Sequence, residues 1–334
     1  MMVNKNFTNL AGVNPHLALT HIKKRAEERK KGGNSSGLKT ALVLQGGAMR
    51  GVFGAGVCCA LEELGYTEGF DFVFGVSAGA LNGAYFLSGQ AAYGTTIYYQ
   101  DINNLSFINF FRLKKKIDID FLIKIMTKVK PLNVKRLKNS STTLNVVLTN
   151  VSTGEAVVLD TRREDADIIK ILKATASIPL VYDIPVVIDG TYFLDGGVSC
   201  PIPVTEAIDA GCTDLLVVLT RPKNYRPLSC KRGIFSRILI EPKIKRYGKK
   251  FYNTYLRRHK IYAEKLNIIL GKKRYGKRKV NILPLFPSSS LNLKRITKKE
   301  STLKKAAIEG AIKTFQLFGV DYYRPAEVLK FLNY

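Results

Sequence analysis

At 334 residues the chain is long enough for one large domain or one and a half, with ample core. Its 46% hydrophobic content and mean hydropathy of -0.01 are ordinary for a soluble globular protein, and no apolar run approaches the roughly 18 residues of a spanning helix. The formal net charge of +27 is unevenly placed: +3 over residues 1–220, +19 over 221–280 and +5 over 281–334. Such a block favours an anionic partner, a phospholipid surface or nucleic acid, against the plainer reading of a solvated helical face. The five cysteines (Cys58, Cys59, Cys200, Cys212, Cys230) are odd in number and lack C-x-x-C or finger spacing. That speaks against a disulfide framework or zinc site and for a reducing compartment. The N-terminus lacks the charged-then-apolar pattern of a secretion signal, so the expectation is a cytoplasmic protein, at most peripheral to the inner face of the membrane.

In chain order, His16 to Lys31 reads as a basic surface helix and Gly32 to Gly37 as a flexible linker, which makes residues 1–37 a peripheral arm. The fold proper is predicted to start at the apolar strand Thr40–Gln45. A Gly-rich turn, Gly46-Gly47-Ala48-Met49-Arg50-Gly51, follows it, and then a helix over Val52–Leu64. A second strand over Phe70–Phe74 leads into Gly75-Val76-Ser77-Ala78-Gly79 and a helix to Leu87. Two strand–Gly-rich-turn–helix units in succession predict a parallel α/β sheet. Residues 90–140 read as helices and loops that rim or cover a site. Strands are expected at 144–149 and 156–159, and a helix over Ala166–Ala176. Val186–Ile188, Asp189-Gly190 and Thr191–Leu194 should form a hairpin with a type I′ turn. A short helix at 203–210 and a buried strand at 215–219 complete the region 38–220. The basic segment beyond is predicted to be helical to Leu270, with a late strand near 280–283 and a closing helix over Thr302–Phe318.

Ser77 sits at a strand-to-helix junction, where a sharp turn pushes a hydroxyl out of the backbone and the following helix directs its positive end at a developing oxyanion. Gly75 and Gly79 keep side chains out of that turn. A serine nucleophile needs a base. His16 and His21 lie in the N-terminal arm, and His259 follows Arg257-Arg258, whose charges oppose imidazolium formation. A Ser-His-Asp triad through His259 fits one known chain order but has no local support. Asp195, in Asp195-Gly196-Gly197, is the better base: a desolvated carboxylate bonded to the hydroxyl can take its proton, and the glycines allow close approach. Asp189, the competitor, is explained by its hairpin turn. The consecutive N–H groups of Gly46 to Gly51 form a nest for negative charge, an oxyanion hole in this setting, with Arg50 adding a cation. The same loop could cradle a phosphate in a nucleotide-binding fold. It lacks a P-loop lysine, however, and Asp71 opens a strand rather than closing one.

The Gly-rich loop, Gly-Val-Ser-Ala-Gly and Asp-Gly-Gly, in this order over residues 38–220, resemble the patatin-like phospholipases. The resemblance implies a three-layer α/β/α fold with a mainly parallel sheet and a lipid acyl hydrolase of phospholipase A, lysophospholipase or carboxylester lipase type, needing no metal or cofactor. It implies a Ser-Asp dyad: Ser77 as nucleophile in the elbow Gly75-Val76-Ser77-Ala78-Gly79, and Asp195 as base in a motif with Gly196 and Gly197. Gly46, Gly47, Ala48, Met49, Arg50 and Gly51 make the oxyanion loop. Ala174 to Pro179 also resembles a family loop beside the site. Residues 221–334 would be a basic, mostly helical extension packed on the catalytic domain, docking on anionic lipid through 221–280. One departure stands out: the family has glycine where this chain has Ala48, and a left-handed backbone there would strain alanine by about 1 kcal/mol. The rival class is a binding or scaffolding protein with a weak site. Nucleic-acid binding is the less favoured partner reading, because the spacing of Tyr247, Phe251, Tyr252, Tyr255 and Tyr262 is also that of a packed helix face.

Overall fold

The computed structural model describes residues 16–33, 37–226 and 240–320. Residues 34–36 of the predicted linker, the start of the N-terminal arm, and 227–239 of the basic segment with Cys230 lie outside the described residues. In chain order the elements are α1 (Leu17–Lys30), β1 (Thr40–Leu44), α2 (Val52–Glu63), β2 (Phe72–Val76), α3 (Ala78–Leu87), α4 (Ala91–Thr96), α5 (Ile119–Lys124) and α6 (Val134–Lys138). Then come β3 (Thr143–Asn150), β4 (Ala156–Asp160), α7 (Ile168–Ala176), β5 (Val186–Ile188), β6 (Thr191–Asp195), α8 (Val204–Asp209) and β7 (Asp214–Val218). The chain closes with α9 (Glu241–Lys245), α10 (Lys249–Ile269), β8 (Asn281–Leu285) and α11 (Glu300–Leu317).

The central strands are short, β-branched or leucine-rich and buried on both sides, as parallel strands must be when helices cover both faces. Strands β3-β2-β1-β7-β8 run parallel, while β4 and β6 join β3 antiparallel and β5 extends β6. Alternate residues of β1 feed the two layers. Leu42 and Leu44 pack with α2, α3 and α11; Ala41 and Val43 pack with α8 and α10. This is the three-layer α/β/α architecture with a mainly parallel sheet that the sequence predicts. The late strand, β8, extends the parallel sheet itself, and α11 crosses α2 at close range.

Helix α1 is basic, as expected, and it is docked. Ala18, Leu19, Ile22 and Ala26 are buried, and Arg25 and Arg29 reach Asp71 Oδ1 at 2.6 and 2.8 Å. Asp71 also accepts the Thr40 amide at 2.9 Å, so this carboxylate ties the N-terminal edge of the sheet together. The phosphate-cradle reading is thereby left without its acidic partner at a strand's C-terminal end. The hairpin β5–β6 turns at Asp189 and Gly190, both with positive φ (48° and 73°), as the type I′ prediction requires. On α10, Phe251 and Tyr262 are buried and Tyr255 is half-buried, so the aromatic spacing marks a packing face.

Candidate active site

Strand β2 ends at Val76, and Ser77 caps α3 with φ 53° and ψ -131°, a conformation an L-residue holds only under constraint. The constraint is visible on both sides. A Cβ on Gly75 would stand 2.5 Å from Ala80 Cα, and one on Gly79 would stand 2.3 Å from the Leu44 carbonyl oxygen. The Ser77 N–H donates to Thr175 Oγ1 at 2.9 Å, and that hydroxyl donates in turn to the Val147 carbonyl at 2.6 Å. Thr175 lies in the Ala174–Pro179 stretch, whose Ser177 carbonyl accepts the Asp195 amide at 3.0 Å. The end of α7 and the residue that follows it therefore steady both halves of the candidate dyad.

Asp195 reaches Ser77 through sheet register. On β3, Val147 pairs with Val76 and the next residue, Leu148, pairs with Asp195. Because β4 occupies the other edge of β3, β6 continues along the edge where β2 stops. The end of β6 is thus delivered to the point where Ser77 leaves β2. Ser77 and Asp195 line one cavity, Asp195 Oδ1 accepts the Gly197 N–H at 2.6 Å, and Thr149 Oγ1 donates to the Asp195 carbonyl at 2.8 Å. Burial pushes the Asp195 carboxyl up to about 6, against the opposing pull of the Ser77 hydroxyl, the Gly197 amide and Arg295. A carboxylate that is ionised at neutral pH yet more basic than usual is suited to accept a hydroxyl proton.

The loop Gly46–Gly51 leaves β1 beside β2 and lines the same cavity as Ser77 through Gly46, Gly47, Ala48 and Arg50. Its amides are unequal. Met49 N–H donates to the Arg295 carbonyl at 3.2 Å and Arg50 N–H to the Gly47 carbonyl at 3.2 Å, so neither is directed at a ligand. Ala48 has φ 50°, the left-handed conformation in which alanine carries about 1 kcal/mol of strain. At the loop's end, Asn82 Nδ2 donates to the Gly51 carbonyl at 2.8 Å, and Tyr98 OH donates to Asn82 Oδ1 at 2.9 Å. His259 does not line the cavity, His16 caps α1 and His21 bonds to Asp214 at 2.7 Å, so no histidine of the described chain meets Ser77.

Two spaces meet at Ser77. One is a narrow apolar crevice running under Leu81, Tyr85, Ile102, Phe107, Leu122 and Met126. The other is an open basin of about 300 Å3 that carries Asp195, Arg50, Arg221, Arg258 and Arg295. Sequence reasoning missed Thr175, Thr149, Asn82 and the downstream arginines as site residues. Of these, only Thr175 had a signal, its place in the loop 174–179. Residues 90–140, expected to rim the site, supply much of the crevice wall, and Phe110 and Ile117 line the basin.

The sequence profile described as patatin-like phospholipase matches residues 42–208. Over 203 residues the chain is 31% identical to the uncharacterized protein YjjU of Escherichia coli (strain K12), a match covering 58% of this chain and 56% of that relative. Among solved structures, VipD from Legionella pneumophila superposes with a TM-score of 0.43 at 14% identity, over 85% of this chain and 67% of that one.

Proposed function

The chain belongs to the patatin-like phospholipase family, and from that premise we propose that it is a lipid acyl hydrolase working through a Ser77–Asp195 dyad. The observation that supports this reading is that Ser77, held in its strained elbow, shares a cavity with a buried carboxyl of raised basicity. Ser77 Oγ attacks the ester carbonyl as Asp195 takes its proton, and the amides of Gly47 and Ala48, with Arg50 nearby, face the oxyanion. Asp195 returns the proton to the departing alkoxide, leaving an acyl-serine. Water then gives its proton to Asp195 and attacks the acyl carbon, and Ser77 regains its proton as the fatty acid leaves. The apolar crevice suits the acyl chain and the open basin suits the alcohol half.

Labelling with a fluorophosphonate, with the adduct located by mass spectrometry, tests the nucleophile; turnover of a medium-chain p-nitrophenyl ester tests the reaction. We expect the label on Ser77 and His259→Ala close to wild type in turnover. An unlabelled Ser77 and no turnover would favour the binding or scaffolding alternative, to which the strained Ala48 lends its weight. Because the base form of Asp195 is required, kcat/KM should rise with pH through about 6 and level off above it. A profile still flat at pH 4.5 would remove Asp195 as the base.

No helix among the described residues is long and apolar enough to cross a membrane. The expected contact with an anionic membrane surface rests on the charge of residues 221–280, and the fold divides that segment. Lys272, Lys273, Arg274, Lys277, Arg278 and Lys279 connect α10 to β8 at the N-terminal edge of the parallel strands, where Arg278 lies near Gly211. Ser77 leaves the opposite edge, with Arg221 and Arg258 on its side. We assign lipid contact instead to the loop closed by the Ile108–Ile117 bridge, which borders the basin that holds Ser77. There Phe111 is 95% and Leu113 96% exposed, Lys114 is exposed beside them, and Phe110 borders the basin. The double change Phe111→Ser and Leu113→Ser should lower the ratio of vesicle-lipid hydrolysis to soluble-ester hydrolysis about tenfold, as loss of two interfacial anchors would. An unchanged ratio would place the contact elsewhere.

A further inference from the structure

The basin beside Ser77 holds more positive charge than the reaction uses. Among its described lining residues, Asp195 is the single carboxylate, and its Oδ1 accepts the Gly197 N–H. Besides Arg258, which lies over the Tyr255 ring, the arginines facing it are Arg50 from the loop after β1, Arg221 from the loop after β7, and Arg295 from the segment before α11. Arg50 is 9% exposed, and its Nε is buried without a hydrogen-bond partner. Arg221 is half-buried, its guanidinium 3.7 Å from the Tyr225 ring centroid and 5.6 Å from that of Tyr262. Aromatic faces hold that cation in place without neutralising it. Arg295 is exposed at the rim. None of the three pairs with a carboxylate among the described residues. A buried, unpaired guanidinium is costly unless an anion completes it. In keeping with that, burial and then the charges of Arg221 and Arg295 bring Arg50 down to about 9.

Resting on the hydrolase reading above, we propose that Arg221 and Arg295, with Arg50 beneath them, form a subsite for a phosphate group on the alcohol side of the ester, one that carries no cation of its own. Planar guanidinium forks match phosphate oxygens in pairs, and three converging forks suit a group with two or more charges. The side of the ester follows from the two spaces at Ser77: the apolar crevice takes the acyl chain, so the arginines meet the leaving alcohol. The absence of a headgroup cation follows from the lining. The aromatic faces beside the arginines are occupied, those of Tyr225 and Tyr262 by Arg221 and that of Tyr255 by Arg258, and no described carboxylate of the basin is spare to pair an ammonium. A choline or ethanolamine headgroup would set its cation against the four arginines of the basin.

Single-chain lauroyl esters test this without a membrane: lysophosphatidic acid, lysophosphatidylcholine and monolaurin share the acyl group and differ in phosphate and cation. The expected kcat/KM for lysophosphatidic acid exceeds those of the other two at least tenfold, and the double variant Arg221→Gln, Arg295→Gln reduces that ratio to within about threefold of unity. Comparable rates on all three esters, or a preference that survives in the double variant, would overturn the subsite. A second arm needs no turnover. Calorimetric titration of Ser77→Ala with glycerol phosphate should give binding that the added Arg221→Gln and Arg295→Gln changes abolish. If no ester is hydrolysed at all, the hydrolase reading fails while this titration still decides the anion site. Binding of inorganic phosphate equal to that of glycerol phosphate, with no preference among the three esters, would indicate a free-phosphate site and overturn the headgroup assignment.

Discussion

Asp195→Asn should lower kcat/KM on a medium-chain ester by about three orders of magnitude, within the range that loss of a general base produces. Asparagine keeps the shape and can still accept the Gly197 N–H that Asp195 Oδ1 accepts at 2.6 Å, so the elbow should remain intact. What it lacks is a lone pair basic enough to take the Ser77 proton, and no histidine of the described chain stands by to replace it. Ser77→Ala should fall to background. Stability separates this loss from misfolding. The folded-state value of about 6 lies above the ordinary carboxyl value of 3.8, so the folded chain binds this proton more tightly than the unfolded one. The stabilisation from that proton is fully present below the ordinary value and lost as pH rises through about 6. An asparagine has no ionised form to bury, so the variant should melt no lower than wild type at pH 8, and its relative stability should improve between pH 4 and pH 8. An inactive variant that melts well below wild type at pH 8 would mean that Asp195 supports the fold rather than the chemistry.

Gly56→Val should be the most damaging single change outside the site. Where α2 crosses α11 the backbones touch: a Cβ at Gly56 would stand 1.9 Å from the Ala307 carbonyl oxygen, and one at Gly310 would stand 2.2 Å from the Phe53 carbonyl oxygen. Those obstacles are backbone atoms of packed helices, which cannot move as a side-chain tip can. Forcing the helices apart should cost about 3 kcal/mol or more, at the upper end of overpacking, and lower the thermal midpoint by several degrees. Because α2 begins where the Gly46–Gly51 loop ends, esterase activity should fall with it. Gly56→Ala should act in the same direction with smaller effect. A valine variant melting within about 2 °C of wild type would show that the crossing is looser than its geometry implies.

Much of this molecule was legible in one dimension. The order strand, Gly-rich turn, helix, repeated at Thr40–Leu64 and Phe70–Leu87, identified the parallel sheet, because sterics within a few residues decide such turns. The same locality exposed Gly75 and Gly79 as necessary and Asp189-Gly190 as a turn. The strained conformation at Ala48 was foreseen as a condition, and its φ of 50° meets it.

Other features depended on distant segments meeting, and no local pattern encodes that. Asp195 reaches Ser77 because neighbouring residues of β3 pair with β2 and then with β6. Thr175 is an unremarkable threonine until α7 ends beneath the elbow. The +19 block looked like one surface, but a chain that enters β8 at one edge of the sheet and leaves β7 at the other splits it, with Arg221 in the basin of Ser77 and Lys272 to Lys279 opposite. Phe111 and Leu113 have the composition of core residues, and only the packing left them in solvent. Sequence alone determined which residues could do chemistry, since short-range sterics and side-chain type suffice for that. Tertiary structure alone decided which of them share a cavity and which way it faces, because strand register and the edge at which each loop emerges are set by pairings between remote parts of the chain.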